Sequence, residues 1–467
     1  MCYNKEKNKK LYRTSKRGMI AKNTRAEKRA CLESTNFPSR LIKVIYHFFP
    51  NLIDNLKNVS DKRHQGYVIY DNYVILMLRI LMSIFYIKSM RSATEKLNNS
   101  NFIKNFSKLC GNELNEIPHF NTVNNYLRMV EPNEIQAIIQ GMVNQLIRNK
   151  IFNSSRIFDK KWQVIIDGTQ IFSSEKPLDE KCLKKNYKDE NGEITRTIYS
   201  YYVLEAKIVF GDKIIASIGT EFVENESDDV SKQDCELKAA YRLMDKIKAV
   251  FPKLPICICA DALYAAKPVL NKCTNQHHWA YVIRFKDGCI PSVYEEYENL
   301  IKYDGNEIRE KITLPNTKKA ERVYNYVNDI DYDGNIVNIA ECIEKIDETE
   351  KHFVYMTNKK INDRNVKEIC DVGRKRWKIE NEGFDIQKNH GYELEHNFSN
   401  DYNAQKNHYF LIQIAHIISQ LFENSDKEIK KFKLTLVEIH EKILMDFKTK
   451  ILSDDVFRRE RCQIRFV

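Results

Sequence analysis

Ile256-Cys257-Ile258-Cys259-Ala260-Asp261 is a short, unbroken apolar run that ends on a carboxylate. A run of this length without polar alternation marks a strand covered on both faces, the kind found in the middle of an α/β sheet. Upstream, Val164-Ile165-Ile166 reads the same way and ends on Asp167-Gly168-Thr169. Two more strand-like runs follow, Tyr201 to Phe210 and Ile214 to Phe222, parted by the turn Gly211-Asp212. Three adjacent antiparallel strands are expected there. Ser231-Lys232-Gln233-Asp234 offers a capped start for a helix running to about Val250, where Phe251-Pro252 stops it. After the central run, an intervening helix leads to one more strand, Trp279 to Phe285.

Outward from this core the pattern changes. Residues 37–155 carry apolar side chains at three- and four-residue spacing, clearest at Ile75 to Tyr86 and Ile135 to Ile147, and read as helical. Within them Pro118-His119-Phe120-Asn121-Thr122-Val123 places a cap at Asn121 or Thr122 before a short helix through Leu127, a weak helix-turn-helix signal. Residues 287–358 are polar and alternating, with Asp304-Gly305 and Asp333-Gly334 turns between strand-like runs, and read as a β-rich insertion. A helix is expected from about Asn365, with Glu368 completing a capping pattern, to Asn389-His390, where Gly391 stops it. The expected division is a basic tail (1–35), a helical region suited to DNA binding (36–160), the core in two parts (161–286 and 359–425) around the insertion (287–358), and a C-terminal helical region (426–467).

With 467 residues, 43% hydrophobic and 30% charged, the chain has the balance of a folded protein of several domains. A net charge of +11 favours a polyanionic partner, although a solvated lysine-rich surface accounts for it equally well. Twelve cysteines without a Cys-x-x-Cys pair argue against structural zinc and a disulfide framework. The run Tyr73 to Ile87 is interrupted by Arg79 and is too short to span a bilayer, so a buried helix and no membrane association are expected. The basic N-terminus holds no apolar signal segment, and a cytoplasmic, nucleoid-associated protein is expected.

Asp167 and Asp261 close strands of one sheet, and strand ends in an open α/β sheet converge on one crevice. Each aspartate by itself is better explained as the cap of a following turn. The late helix adds a third acid. Arg376, Glu380, Phe384 and Lys388 recur every four residues and share one helical face, while Glu382 lies about 200° from Glu380. An Arg376–Glu380 surface ion pair would give the same spacing. Phe384 in the stripe and Trp377 beside it suggest a charged face pressed against something. Three carboxylates gathered there suit two divalent ions and in-line phosphoryl displacement. His277-His278 reads as a loop pair, His390 and His396 as solvent-facing, and no Gly-rich phosphate loop is present.

Ile166-Asp167-Gly168-Thr169, Ala260-Asp261-Ala262-Leu263-Tyr264-Ala265 and above all Arg376-Trp377-Lys378-Ile379-Glu380 with Phe384 and Lys388 resemble the insertion-sequence-four group of DDE transposases, over about Trp162 to His396. The resemblance implies an α/β ribonuclease-H-like core, a mixed sheet with helices on both faces, carrying a β-rich insertion and flanked by N-terminal and C-terminal helical regions. It implies that Asp167, Asp261 and Glu380 ligate two Mg²⁺ ions, with Mn²⁺ as a substitute, and that Arg376 and Lys388 contact DNA phosphates. Trp377, adjoining the stripe in sequence, is expected as a further DNA contact. Its partners would be DNA (terminal inverted repeats and target) and a second copy of the chain in a homodimeric synapse. The expected reaction is cleavage at the element's ends followed by strand transfer. A nuclease of the same core without strand transfer, and a non-catalytic DNA-binding derivative, are the alternatives. Two positions depart from the family: Gly373 stands where it has Tyr, and Gln387 where it has Lys, with Lys388 one residue later. That shift keeps Glu382 as the alternative acid.

Overall fold

Strand β1 (Trp162–Ser174) organises the sheet, because its two edges accept opposite kinds of partner. On one side it pairs antiparallel with β3 (Ile194–Val209), and on the other it pairs parallel with β5 (Ile256–Ala260). β4 (Ile215–Val223) extends β3 antiparallel, and β6 (Ala280–Phe285) extends β5 in parallel. The order β4-β3-β1-β5-β6, with only β1, β5 and β6 parallel, is a mixed sheet consistent with the expected ribonuclease-H-like core. These relationships come from a computed structural model that describes residues 25–158, 160–226, 233–304, 306–313, 319–425 and 427–458. Most of the basic tail (1–24), the Ser231-Lys232 start of the helical cap and Gly305 of the first Asp-Gly turn lie outside the described residues.

The sheet does not stop at β6. β10 (Thr349–Thr357) pairs antiparallel with it, and β9 (Asn335–Ile346), β8 (Lys319–Tyr332) and β7 (Asn306–Thr313) follow in antiparallel order, so the β-rich stretch continues the core sheet to ten strands. Asp333 and Gly334, both at positive φ, make the tight turn between β8 and β9. The expectation of β structure throughout 287–358 needs correction at its start. Helix α5 (Pro291–Asp304) buries Val293 and Tyr297, so Asp304 of the first Asp-Gly ends a helix and not a strand. A second hairpin also went unpredicted: β2 (Leu183–Lys188) pairs only with the first half of β3 and is exposed on both faces from Lys185 onward.

Each face of the sheet has its own apolar layer. Val164, Ile166, Ile256 and Ile258 face helix α4 (Glu236–Val250) and the helical region, whereas Ile165, Cys257 and Cys259 face helix α6 (Val366–Arg374) and the segment after it. In the helical region α1 (Asn72–Ile84) is wholly buried, and Arg79 within it bonds Ser83 through Nη1 and His408 Nδ1 through Nη2 at 2.7 Å, while its Nε has no partner among the described residues. His408 lies on α7 (Tyr402–Ser425), a long buried helix between the sheet and the N-terminal helices. Helix α2 (Phe120–Met129) is capped by His119, whose Nδ1 accepts from the Asn121 amide, instead of by Asn121 or Thr122. Helix α3 (Pro132–Arg148) follows it. The C-terminal helix α8 (Leu436–Thr449) returns to the N-terminal helices through Phe447, packed on Phe85 and Phe102. Among the described residues no helix is long and apolar enough to cross a membrane. The ten described cysteines are all free.

Candidate active site

Asp167 and Asp261 stand at the same height on neighbouring parallel strands. The last rung of the β1–β5 ladder pairs Ile165 with Cys259, and each aspartate lies two residues further along its own strand. Side chains two apart point to the same face, so both carboxylates project on the side of Ile165 and Cys259, toward α6 and the segment that follows it. Asp261 does terminate its strand. Asp167 does not: β1 runs on to Ser174 against β3, and what ends just before Asp167, at Ile165, is only the pairing with β5. The crevice opens where β5 stops and β1 continues.

The third acid arrives on an irregular helix. After α6 the chain tightens into a 3₁₀ turn, Lys375–Trp377, widens into a π segment, Ile379–Asp385, and closes with one α turn, Ile386–Asn389. Ile379 and Phe384 anchor the segment in the apolar layer under the sheet. Arg376 and Glu380 therefore point together at the aspartates. Arg376 Nη1 lies 3.0 Å from Asp167 Oδ2 and 2.8 Å from Glu380 Oε1, so one nitrogen joins the first and third acids. The Arg376 guanidinium also lies 5.0 Å from the ring centre of Trp377, which is 54% exposed.

The remaining predicted residues are placed elsewhere. Lys388 is paired with Glu395 at 2.7 Å, away from the acids. Gln387, where the family has Lys, is fully buried and donates to Gln413 on α7 at 2.9 Å. Glu382 points into a separate cavity of about 570 Å³ lined by Lys213, Tyr392 and His416, and its nearest cation is Lys378 at 3.5 Å. Gly373, where the family has Tyr, has no room for any side chain, because a Cβ there would run into the buried ring of Tyr355.

Burial pushes the Asp167 carboxyl up to about 7; the Arg376 charge opposes this, while Glu380 and Asp261 add to it, and the Gly168 amide donates to Asp167 Oδ1 at 3.0 Å. Asp261 caps the 3₁₀ turn Ala262–Tyr264, its Oδ1 accepting from the Leu263 amide at 2.9 Å. That turn is pinned by a residue the sequence did not single out. Glu236, the first residue of α4, accepts from Tyr264 Oη at 2.6 Å and from Tyr202 Oη at 3.0 Å. Gly168 makes this approach possible: a Cβ at that position would stand 2.8 Å from Glu236 Oε2. An acid opening a helix reads as a dipole partner, which hid its second task.

Residues 227–418 match the family model described as Transposase DDE domain. No curated protein matches the chain. The DDE-domain match takes in Asp261, Glu380, the inserted strands and most of α7, and it begins after Asp167, so the first acid rests on the β1–β5 register alone. The carboxylate oxygens are hard donors of the kind divalent cations take. A cation already stands between two of them, in the form of the Arg376 guanidinium. The donor chemistry fits a metal centre, but in this arrangement no three His, Cys, Asp or Glu side chains among the described residues are grouped closely enough to ligate one ion.

Proposed function

We propose that the chain is a DDE transposase of the insertion-sequence-four group, which cuts DNA at the ends of its element and transfers the freed strand into target DNA. The observation that carries this reading is the shared height of Asp167 and Asp261 past the Ile165–Cys259 rung, with Glu380 joined to Asp167 through Arg376. The DDE-domain match over residues 227–418 supports it. Asp167, Asp261 and Glu380 would hold two Mg²⁺ ions, for which Mn²⁺ would substitute. Bound there, the ions supply Lewis acidity to the attacking and leaving oxygens of an in-line displacement.

The protein's own groups orient the DNA. Arg376 offsets charge on the scissile phosphate, and Trp377, exposed beside it, lies against the DNA. Lys388, paired with a half-exposed Glu395, exchanges it for a phosphate, an inexpensive step because ion pairs near the surface are worth about 1 kcal/mol or less. The N-terminal helical region grips the terminal inverted repeats, and two copies of the chain bring two ends together. The protein acts at the nucleoid.

Purified protein, Mg²⁺ or Mn²⁺ and DNA carrying the inverted repeats provide the test. Wild type should nick the ends and join them to target, and Asp167→Asn, Asp261→Asn and Glu380→Gln should do neither. Equal nicking by wild type and Asp167→Asn would remove Asp167 from the mechanism. Nicking without joining would leave a nuclease.

A further inference from the structure

The cation between Asp167 and Glu380 belongs to the protein itself. Arg376 Nη1 uses one oxygen of each carboxylate, and those are oxygens a divalent ion would need. The Arg376 side chain is only 13% exposed, so the guanidinium fills the crevice instead of lying across its mouth. A guanidinium and a divalent ion cannot share that space, since like charges at such separation repel strongly. Two further features suit its departure. Trp377 offers an exposed aromatic face 5.0 Å from the guanidinium, a place where a cation keeps a partner after giving up the acids. The backbone around Arg376 changes from 3₁₀ to π within a few residues, a junction where hydrogen-bond register shifts easily.

We propose that Arg376 is a built-in counter-ion latch: without DNA it holds Asp167 and Glu380 together in place of metal, and a DNA phosphate draws it out so that divalent ions enter. This rests on the reading of Asp167, Asp261 and Glu380 as a metal centre. It goes further by making metal loading depend on DNA, which keeps the carboxylates neutralised and the protein from cutting before an end is bound. The exchange breaks no covalent bond: one cation replaces another, and a protonated Asp167 gives its proton to solvent as the divalent ion enters.

The test is a Mn²⁺ titration of the full chain without DNA, followed by electron paramagnetic resonance, with Tb³⁺ luminescence sensitised by Trp377 as a second readout. Removing a unit charge from the crevice should tighten Mn²⁺ binding by about tenfold in Arg376→Gln. Arg376→Lys, which keeps the charge, should stay close to wild type. Adding a duplex of the inverted repeat should tighten Mn²⁺ binding to wild type and leave Arg376→Gln unchanged. Should Arg376→Gln fold poorly, Arg376→Met carries the same prediction, and the DNA dependence of wild type alone remains decisive. Equal Mn²⁺ affinity in wild type and Arg376→Gln, with binding lost in Asp261→Asn, would overturn the latch and leave the metal centre standing. Failure of every form to bind Mn²⁺ or Tb³⁺, with or without DNA, would overturn the metal centre and the latch together.

Discussion

Glu236 accepts a hydrogen bond from Tyr264 Oη at 2.6 Å, and Tyr264 closes the turn whose Leu263 amide bonds Asp261. Through this chain of contacts an acid on one face of the sheet sets the aim of a carboxylate on the other. Buried hydrogen bonds to a charged partner are worth about 1.5–3 kcal/mol. Tyr264→Phe should therefore keep the fold and weaken Mn²⁺ binding about tenfold, as loss of an orienting partner does at metal sites. Glu236→Gln, which still accepts from one hydroxyl, should fall between Tyr264→Phe and wild type. Mn²⁺ titration beside a thermal melt separates this positioning role from simple destabilisation, which would lower the melting temperature and leave affinity in the folded protein unchanged.

Gly373 packs under the ring of Tyr355, and the space between them accepts no methyl group. Gly373→Ala gains helix propensity of about 1 kcal/mol. Overpacking against a buried ring costs more, so net destabilisation of about 1–2 kcal/mol is expected by denaturant unfolding. Tyr355→Leu should recover part of that loss when combined with Gly373→Ala. Additive effects of the two substitutions would show that the contact does not govern position 373.

Asp167 titrates near 7, against 3.8 for a free side chain. The folded state thus binds more protons than the unfolded state between those values. Stability of the metal-free protein should fall as pH rises through that window, and the penalty is complete above the folded value. Metal binding has the opposite trend, because the carboxylate must lose its proton to act as a ligand. Mn²⁺ affinity should be about tenfold weaker at pH 6 than at pH 8, with close to one proton released at the lower pH. A pH-independent affinity would contradict this assignment.

His408 and His416 are buried on α7, and burial holds both well below the ordinary value of 6.5. His408 Nδ1 faces Arg79, and Gln387 and Gln420 face His416 Nδ1, contacts that suit the neutral rings. Here the unfolded chain binds the extra protons, so stability is lost as pH falls below about 6.5, by up to about 1.4 kcal/mol per pH unit for each histidine. His416→Gln should flatten the acid limb measured by urea unfolding between pH 4 and pH 6.5, and an unchanged slope would show that His416 is charged in the fold.

Much of the site could be read before any fold was known. Burial leaves a direct imprint on sequence, so the apolar runs ending at Asp167 and Asp261, and the four-residue spacing of Arg376 and Glu380, were visible as written. Segments that bury little leave no such imprint. The β2 hairpin is polar on both faces, and the Pro291–Asp304 helix is amphipathic enough to pass among alternating residues. What tertiary structure alone decided is which charges meet. Spacing within a helix suggested that Arg376 pairs with Glu380, yet its contact with Asp167 crosses 209 residues. Lys388 meets Glu395 just beyond a π segment, where the wider turn no longer keeps the four-residue spacing of a regular helix. Local sequence sets the periodicity of each element, and only closure of the sheet over its two apolar layers brings distant carboxylates and the arginine between them to one point.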